Sequence, residues 1–178
     1  MTVQGESSAE ARTIHRARPE HRSATPGAAL DEIDLRLVEL LQANSRAANN
    51  ALADAVGIAP STCLQRIRRL RETGVITRFT VDVDRRVLGL GLQALIGVRI
   101  RAGARHEMSA FMTALATLPG VVQTFFLGGD EDFLVHVAVR DSDAVRDFVL
   151  EHLSSHPAVA GTRTSLVLDH SRTAAALA

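Results

Sequence analysis

Lysine is absent from this chain: all 20 basic residues among its 178 are arginine. That bias reflects genome composition rather than mechanism. Cysteine is almost absent too. The single Cys63 excludes an internal disulfide and fits a reducing compartment. No apolar core follows the early charges, so no signal peptide is expected. The most apolar stretch, Leu88 to Val98, contains Gln93 and is too short to span a bilayer. A soluble, cytoplasmic protein is expected, with no membrane partner.

What remains is enough for packed cores, since 46% of the residues are hydrophobic. Formal net charge is zero, but it is unevenly placed. Ser61 to Arg78 holds five arginines (Arg66, Arg68, Arg69, Arg71, Arg78) against one acid, Glu72. From Gly91 onward seven arginines face nine acids. A basic patch inside a neutral protein is an electrostatic footprint for a polyanion.

Residues 1–29 are rich in Ala, Ser, Arg, His and Pro and have few large apolar side chains, so this leader is expected to be disordered. Order is expected from Leu30, where Ile33, Leu37, Leu40 and Leu41 recur at helical spacing and Asp31 and Glu32 favour the positive end of the helix dipole. A short second helix is expected from about Asn50 to Val56, stopped by Gly57, which can take the left-handed conformation of a sharp turn. Pro60 opens a third helix at its first position, running to about Thr73 before Gly74. Val75–Val83 alternates enough for a short strand, and residues 30–81 read as a first domain. Residues 82–90 read as a linker, 91–170 as a second domain and 171–178 as a tail.

That second domain contains a repeat. Leu115, Pro119 and Val121 recur as Leu153, Pro157 and Val159, and the same offset carries Phe111 to Val149 and Thr124 to Thr162. Each copy reads as strand, helix, strand: Leu92–Arg101, Glu107–Leu118 and Val121–Leu127, then Phe133–Arg140, Asp143–Leu153 and Val159–Leu168. Two such units in tandem predict a ferredoxin-like βαββαβ domain, hence an α+β chain overall. Strands apolar on both faces predict that the sheet face without helices is covered by another copy of the chain.

Leu52, Ala53, Val56, Gly57, Ile58 and Cys63 fit a helix-turn-helix, with a small residue in the first helix and a glycine in the turn. Winding Pro60–Glu72 at about 100° per residue places Cys63, Leu64, Ile67 and Leu70 on one stripe. Ser61, Gln65, Arg68, Arg69 and Glu72 fall opposite, flanked by Thr62 and Arg66. The N-terminal half of a recognition helix approaches base edges in double-stranded DNA. Ser61, Thr62 and Gln65 are therefore the candidate base contacts, and Gln65 can pair bidentately with adenine. Arg66 and Arg69 are placed at guanine or phosphate, and Arg68 and Arg78 at phosphate. Cys63, on the apolar stripe, reads as a small buried hydrophobe rather than a redox switch.

These stretches resemble the Lrp/AsnC, or feast/famine, regulators. The resemblance rests on Leu30–Asp34, Leu52–Ile58, Pro60–Cys63, Arg66–Ile76 and Gly129–Phe133, in order across about residues 30 to 170. It implies a winged-helix-like DNA-binding domain, a linker and a βαββαβ domain that binds an amino acid or related small metabolite. It also implies homodimers pairing through their sheets and assembling to octamers. The effector site it implies is the loop Leu127–Phe133, with Gly128, Gly129, Asp130, Glu131, Asp132 and Phe133, and more weakly Thr162 and Thr164. Exposed glycine N–H groups suit a carboxylate there, and an aspartate suits an ammonium. Three positions depart from the pattern. Ala59 and Ala48 replace frequent capping serines, with Asn49 or Asn50 left to substitute ahead of the second helix, and Glu131 replaces a common aromatic residue.

Two other functions share these features. Relatives of this fold resemble tetrapyrrole decarboxylases, but His106, His136, His152, His156 and His170 are scattered, and no serine or cysteine has a catalytic setting. His152 and His156, at i, i+4, read as a surface pair at a helix end rather than a metal site; no metal or cofactor is expected. An architectural DNA-binding protein that senses nothing shares every DNA-facing feature.

Overall fold

The computed structural model describes residues 29–171. The expected leader and tail lie outside the described residues, apart from residues 29 and 171. The first helix, α1 (Glu32–Ala43), begins where Asp31 accepts a hydrogen bond from the Asp34 N–H at 2.8 Å and the Asp34 carboxylate turns back to the Asp31 N–H. This reciprocal cap satisfies two amide donors that a helix start leaves orphaned. Helix α2 (Asn49–Val56) and helix α3 (Pro60–Glu72) follow. Gly57 ends α2 with φ +69°, and the Ile58 N–H returns to the Ala53 carbonyl at 3.0 Å, which sets the turn.

Leu37, Leu41, Leu52, Ala53 and Cys63 form the core of this unit, with Ile33, Val56, Ile58 and Ile67 packed against it. One expectation is corrected here. Leu64 is half exposed, not part of the buried stripe. The contact face of α3 is narrow, made by Cys63, Ile67 and Leu70, and Leu64 lies about 100° round from Cys63. Neither Ala48 nor Ala59 caps its helix through a side chain. Asn49 does not substitute: its Nδ2 donates to the Pro60 carbonyl at 2.9 Å and so ties α2 to the start of α3.

The expected strand over residues 75–83 is also corrected, since this segment joins no sheet among the described residues. A strand exists through its ladder, and both edges of the one sheet run without this segment. Phe79, Val81 and Val83 are left exposed.

The remaining elements are β1 (Leu92–Ile100), α4 (Met108–Leu115), β2 (Val121–Phe126), β3 (Phe133–Val139), α5 (Ser142–Phe148) and β4 (Val159–Val167). A 3-10 segment, Ala102–Glu107, leads into α4, and a π-helical segment, Val149–Ser154, continues α5. The four strands lie in the order β2-β3-β1-β4, all antiparallel. This is the ferredoxin-like arrangement that the repeat predicts, and the repeated positions are equivalent in space. Leu115 and Leu153 are both buried, as are Val121 and Val159.

Side chains alternate across a strand, so the register sorts the two faces. Ala94, Ile96, Val98, Val135 and Val137 point with Phe111, Leu115, Val145, Phe148 and Leu153 into the core beneath the helices. Leu95, Gly97, Leu134, His136, Phe125 and Arg163 fall on the other face.

Candidate nucleic-acid interface and ligand loop

On α3, Ser61, Thr62, Leu64, Gln65 and Arg68 are exposed, while Cys63 and Ile67 hold the opposite side against α1 and α2 and Leu70 is buried on the same stripe. Their spacing places Ser61, Gln65 and Arg68 along one line of the helix surface, with Thr62 beside it. Arg78 is exposed beyond the helix, and Arg71 lies over the Phe79 ring at 5.9 Å.

Arg66 and Arg69 are held differently. Arg66 Nη1 donates to Asp31 at 2.7 Å and to Asp34 at 2.9 Å, and Arg69 Nη2 donates to the other Asp34 oxygen. Asp34 has no solvent exposure, while the Arg66 side chain keeps 24% and that of Arg69 44%. The first helix turn therefore anchors the middle of α3. The hydrogen bond from the Asp34 N–H, then the Arg66 guanidinium, hold the Asp31 carboxyl below its usual range. Its acids raise the Arg66 pKa in turn. Asp31 was legible from sequence only as a dipole partner. Nothing in local spacing announces an ion pair across more than thirty residues.

The loop between β2 and β3 is fastened by both of its inner acids. The Leu127 N–H donates to the Asp132 carbonyl at 2.9 Å, and the Asp132 N–H donates to the Val98 carbonyl at 3.0 Å. The Asp132 carboxylate accepts the Ile100 N–H at 2.7 Å and lies 3.7 Å from Arg105. Glu131 folds over β1 and pairs with Arg163 at 2.7 Å. A Cβ at Gly97 would stand 2.2 Å from the Glu131 carboxylate, so glycine there is what gives the carboxylate its seat. Gly128, Gly129 and Asp130 remain exposed at the tip.

Phe133 is fully buried, with Phe111 and Phe126 rings at 6.4 and 5.7 Å, so it anchors the loop from the core side. Thr162 and Thr164 pair with Val98 and Ile96, on the helix side of the sheet. Arg163, between them, pairs with Gly97 and points to the other side, with Glu131. Arg163 and Gly97 thus belong to the loop site although sequence reasoning named neither. Strand alternation carried the signal, because the two threonines and the arginine between them cannot share a face.

The helix-side histidines pack against aromatic rings. His156 stacks on Phe111 at 4.3 Å, its Nδ1 accepting the Ala158 N–H, and His152 meets Phe148 edge-on at 5.1 Å. Among the described residues no cluster of three or more His, Cys, Asp or Glu is placed to hold a metal ion. Cys63 is buried, and burial pushes its thiol pKa up. No helix among the described residues is long and apolar enough to cross a membrane.

Comparison with known proteins agrees with this geometry. Residues 30–77 match the winged helix-turn-helix DNA-binding family, and residues 93–175 match the Lrp/AsnC ligand binding domain. The chain is 47% identical over 148 residues to the HTH-type transcriptional regulator AldR of Mycolicibacterium smegmatis, covering 83% of this chain and 86% of that one. AldR of Mycobacterium tuberculosis is also 47% identical, with 83% of each chain covered. A transcriptional regulator of Neisseria meningitidis, solved as an L-Met complex, superposes with TM-score 0.75 at 32% identity, over 84% of this chain and 97% of that one. These relatives are regulators of transcription, which sets the decarboxylase reading aside. The chain belongs to the Lrp/AsnC family of DNA-binding transcriptional regulators, with a small-molecule-binding domain behind its helix-turn-helix, and is not an enzyme.

Proposed function

We propose that this regulator binds a pseudo-palindromic DNA site in the cytoplasm as a homodimer that assembles to an octamer, and that an amino acid or related metabolite tunes both assembly and DNA affinity. The unit of DNA recognition is residues 30–81, joined by 82–90 to an effector and oligomerisation unit at 91–170. The exposed polar face of α3 carries the reading. Ser61, Thr62 and Gln65 approach base edges, with Arg68 and Arg78 on phosphates and Arg66 and Arg69 on the same helix.

The effector is placed at the loop, Gly128 to Phe133. Asp132 and Glu131 are already engaged by the sheet, so the exposed backbone of Gly128 and Gly129 is offered to a carboxylate and Asp130 to an ammonium. The L-Met complex of the Neisseria relative supports an amino acid as the ligand class. Thr162 and Thr164, on the other side of the sheet, contribute less directly. Dimerisation is supported by the helix-free sheet face, where Phe125 is 41% exposed beside Leu95 and Leu134. Coupling requires that the effector bind two assembly states with different affinity.

The test is a gel-shift titration of the gene's own upstream region against competitor DNA, repeated with a panel of amino acids. A competitor-resistant shift that one amino acid modulates supports the proposal. A specific shift indifferent to every ligand converts the protein to an architectural one, and no specific shift refutes the reading of α3.

A further inference from the structure

We infer that Asp31 and Asp34 form an acid clamp that makes Arg66 and Arg69 positioning residues for DNA recognition, leaving the phosphate contacts to Arg68 and Arg78. The inference rests on α3 being the reading helix and concerns how that helix is aimed. The cluster is built across two elements. Asp34 lies on the first turn of α1, has no exposure, and receives Arg66 on one carboxylate oxygen and Arg69 on the other. Arg66 is further held by Asp31, whose carboxylate also caps α1. Two guanidiniums in the middle of α3 are thereby fixed to the start of α1, while the stripe Cys63, Ile67 and Leu70 fixes the other side of the helix.

A buried carboxylate is tolerated only while its oxygens are paired. If Arg69 swung onto a DNA phosphate, it would strip a partner from a group that water cannot reach. The exchange would replace one charge-assisted bond by another and leave Asp34 under-satisfied. Arg68 has no such tie among the described residues and is exposed. The basic patch is therefore smaller in effect than its count of arginines, because two of its charges already have internal anions.

The experiment measures affinity of the full-length protein for the upstream fragment and for unrelated DNA between 50 and 200 mM salt. The proteins are wild type, Arg66→Ala, Arg69→Ala, Asp34→Asn, Asp31→Asn and Arg68→Ala. Each phosphate contact contributes about 0.9 to the slope of log affinity against log salt, roughly three- to fourfold over this range. Arg68→Ala is expected to lose about that much slope on both DNAs. Arg66→Ala, Arg69→Ala and Asp34→Asn are expected to keep the slope on unrelated DNA. They should lower the specific to non-specific ratio by roughly fivefold or more, comparable to spoiling one base pair of the site. The Asp34→Asn/Arg69→Ala double variant should be no worse than the worse single one. Should Asp34→Asn fail to fold, the half-exposed Asp31 tests the Arg66 limb by the same two readouts. A slope loss of about 0.9 in Arg66→Ala or Arg69→Ala, or an intact ratio in them, overturns the clamp. Absence of any sequence preference in wild type would instead refute α3 as the reading helix. The slopes on unrelated DNA would still decide the clamp.

Discussion

Gly97→Ala is the substitution whose consequences the structure specifies most closely. A Cβ at that position meets the Glu131 carboxylate at 2.2 Å, where ordinary contact begins near 3.4 Å. The carboxylate must retreat by more than an ångström, and its 2.7 Å pairing with Arg163 is lost. The obstructing atoms are the far end of a flexible side chain, and Arg163 is 78% exposed, so the ion pair is worth at most about 1 kcal/mol. Thermal denaturation should therefore fall by no more than roughly 4–8 °C, the shift that 1 kcal/mol produces in a small domain. The effect on ligand binding should be at least as large, because Glu131 fastens the loop to β1 and β4. Calorimetric titration of the purified variant with the effector identified by gel shift should show affinity reduced about tenfold or more, equivalent to about 1.4 kcal/mol. A stability loss of about 3 kcal/mol, the scale of a core truncation, would show that the space above Gly97 is packed more tightly than this account allows. Unchanged ligand affinity would show that the seating of Glu131 does not govern the loop.

Further outcomes follow from the same structure. Phe133→Ala should cost about 3–5 kcal/mol in urea unfolding, because its ring is fully buried; a cost below about 1 kcal/mol would remove it from the core. Cys63 should react with a thiol reagent in the native protein far more slowly than in the unfolded chain, since it is buried and its thiol pKa is raised; equal rates would contradict that placement. Asp31 is held below its ordinary pKa of 3.8, so its stabilising contribution is complete above that value and is lost as pH falls through the lowered one. Acid titration of wild type against Asp31→Asn should show the two stabilities converging at low pH, and a gap that widens on acidification would reverse the sign.

The parts of the fold that sequence makes legible are those set by short-range pattern. Gly57, Pro60 and the apolar stripe of α3 locate the helix-turn-helix because a left-handed turn, a helix start and a helix face each have a local chemical signature. The repeat likewise locates the βαββαβ units, since both copies place a leucine and a valine in the same core. Four things escaped because they depend on contacts distant in sequence. Residues 75–83 have strand-like alternation but no ladder to join. Leu64 has the right hydrophobicity for the stripe, yet only the packing of α1 and α2 decides how wide that stripe is. At the loop, the three consecutive acids look alike in sequence. The fold distinguishes them by giving Asp132 to the Ile100 amide, Glu131 to Arg163 and Asp130 to solvent. Arg66 and Arg69 are similar in sequence to Arg68, and only the buried Asp34 sets them apart.

The central claim is that one ligand site and one DNA site are coupled, and linkage makes that claim measurable from both ends. If the effector changes affinity for the upstream DNA by some factor, the DNA must change affinity for the effector by the same factor. The direct measurement is calorimetric titration of the effector into the protein, alone and saturated with the upstream fragment, set against DNA affinity with and without effector. Coupling of the two sites predicts two matching factors of about 5- to 150-fold. Ligand binding that is indifferent to DNA, together with DNA binding that is indifferent to ligand, would contradict it.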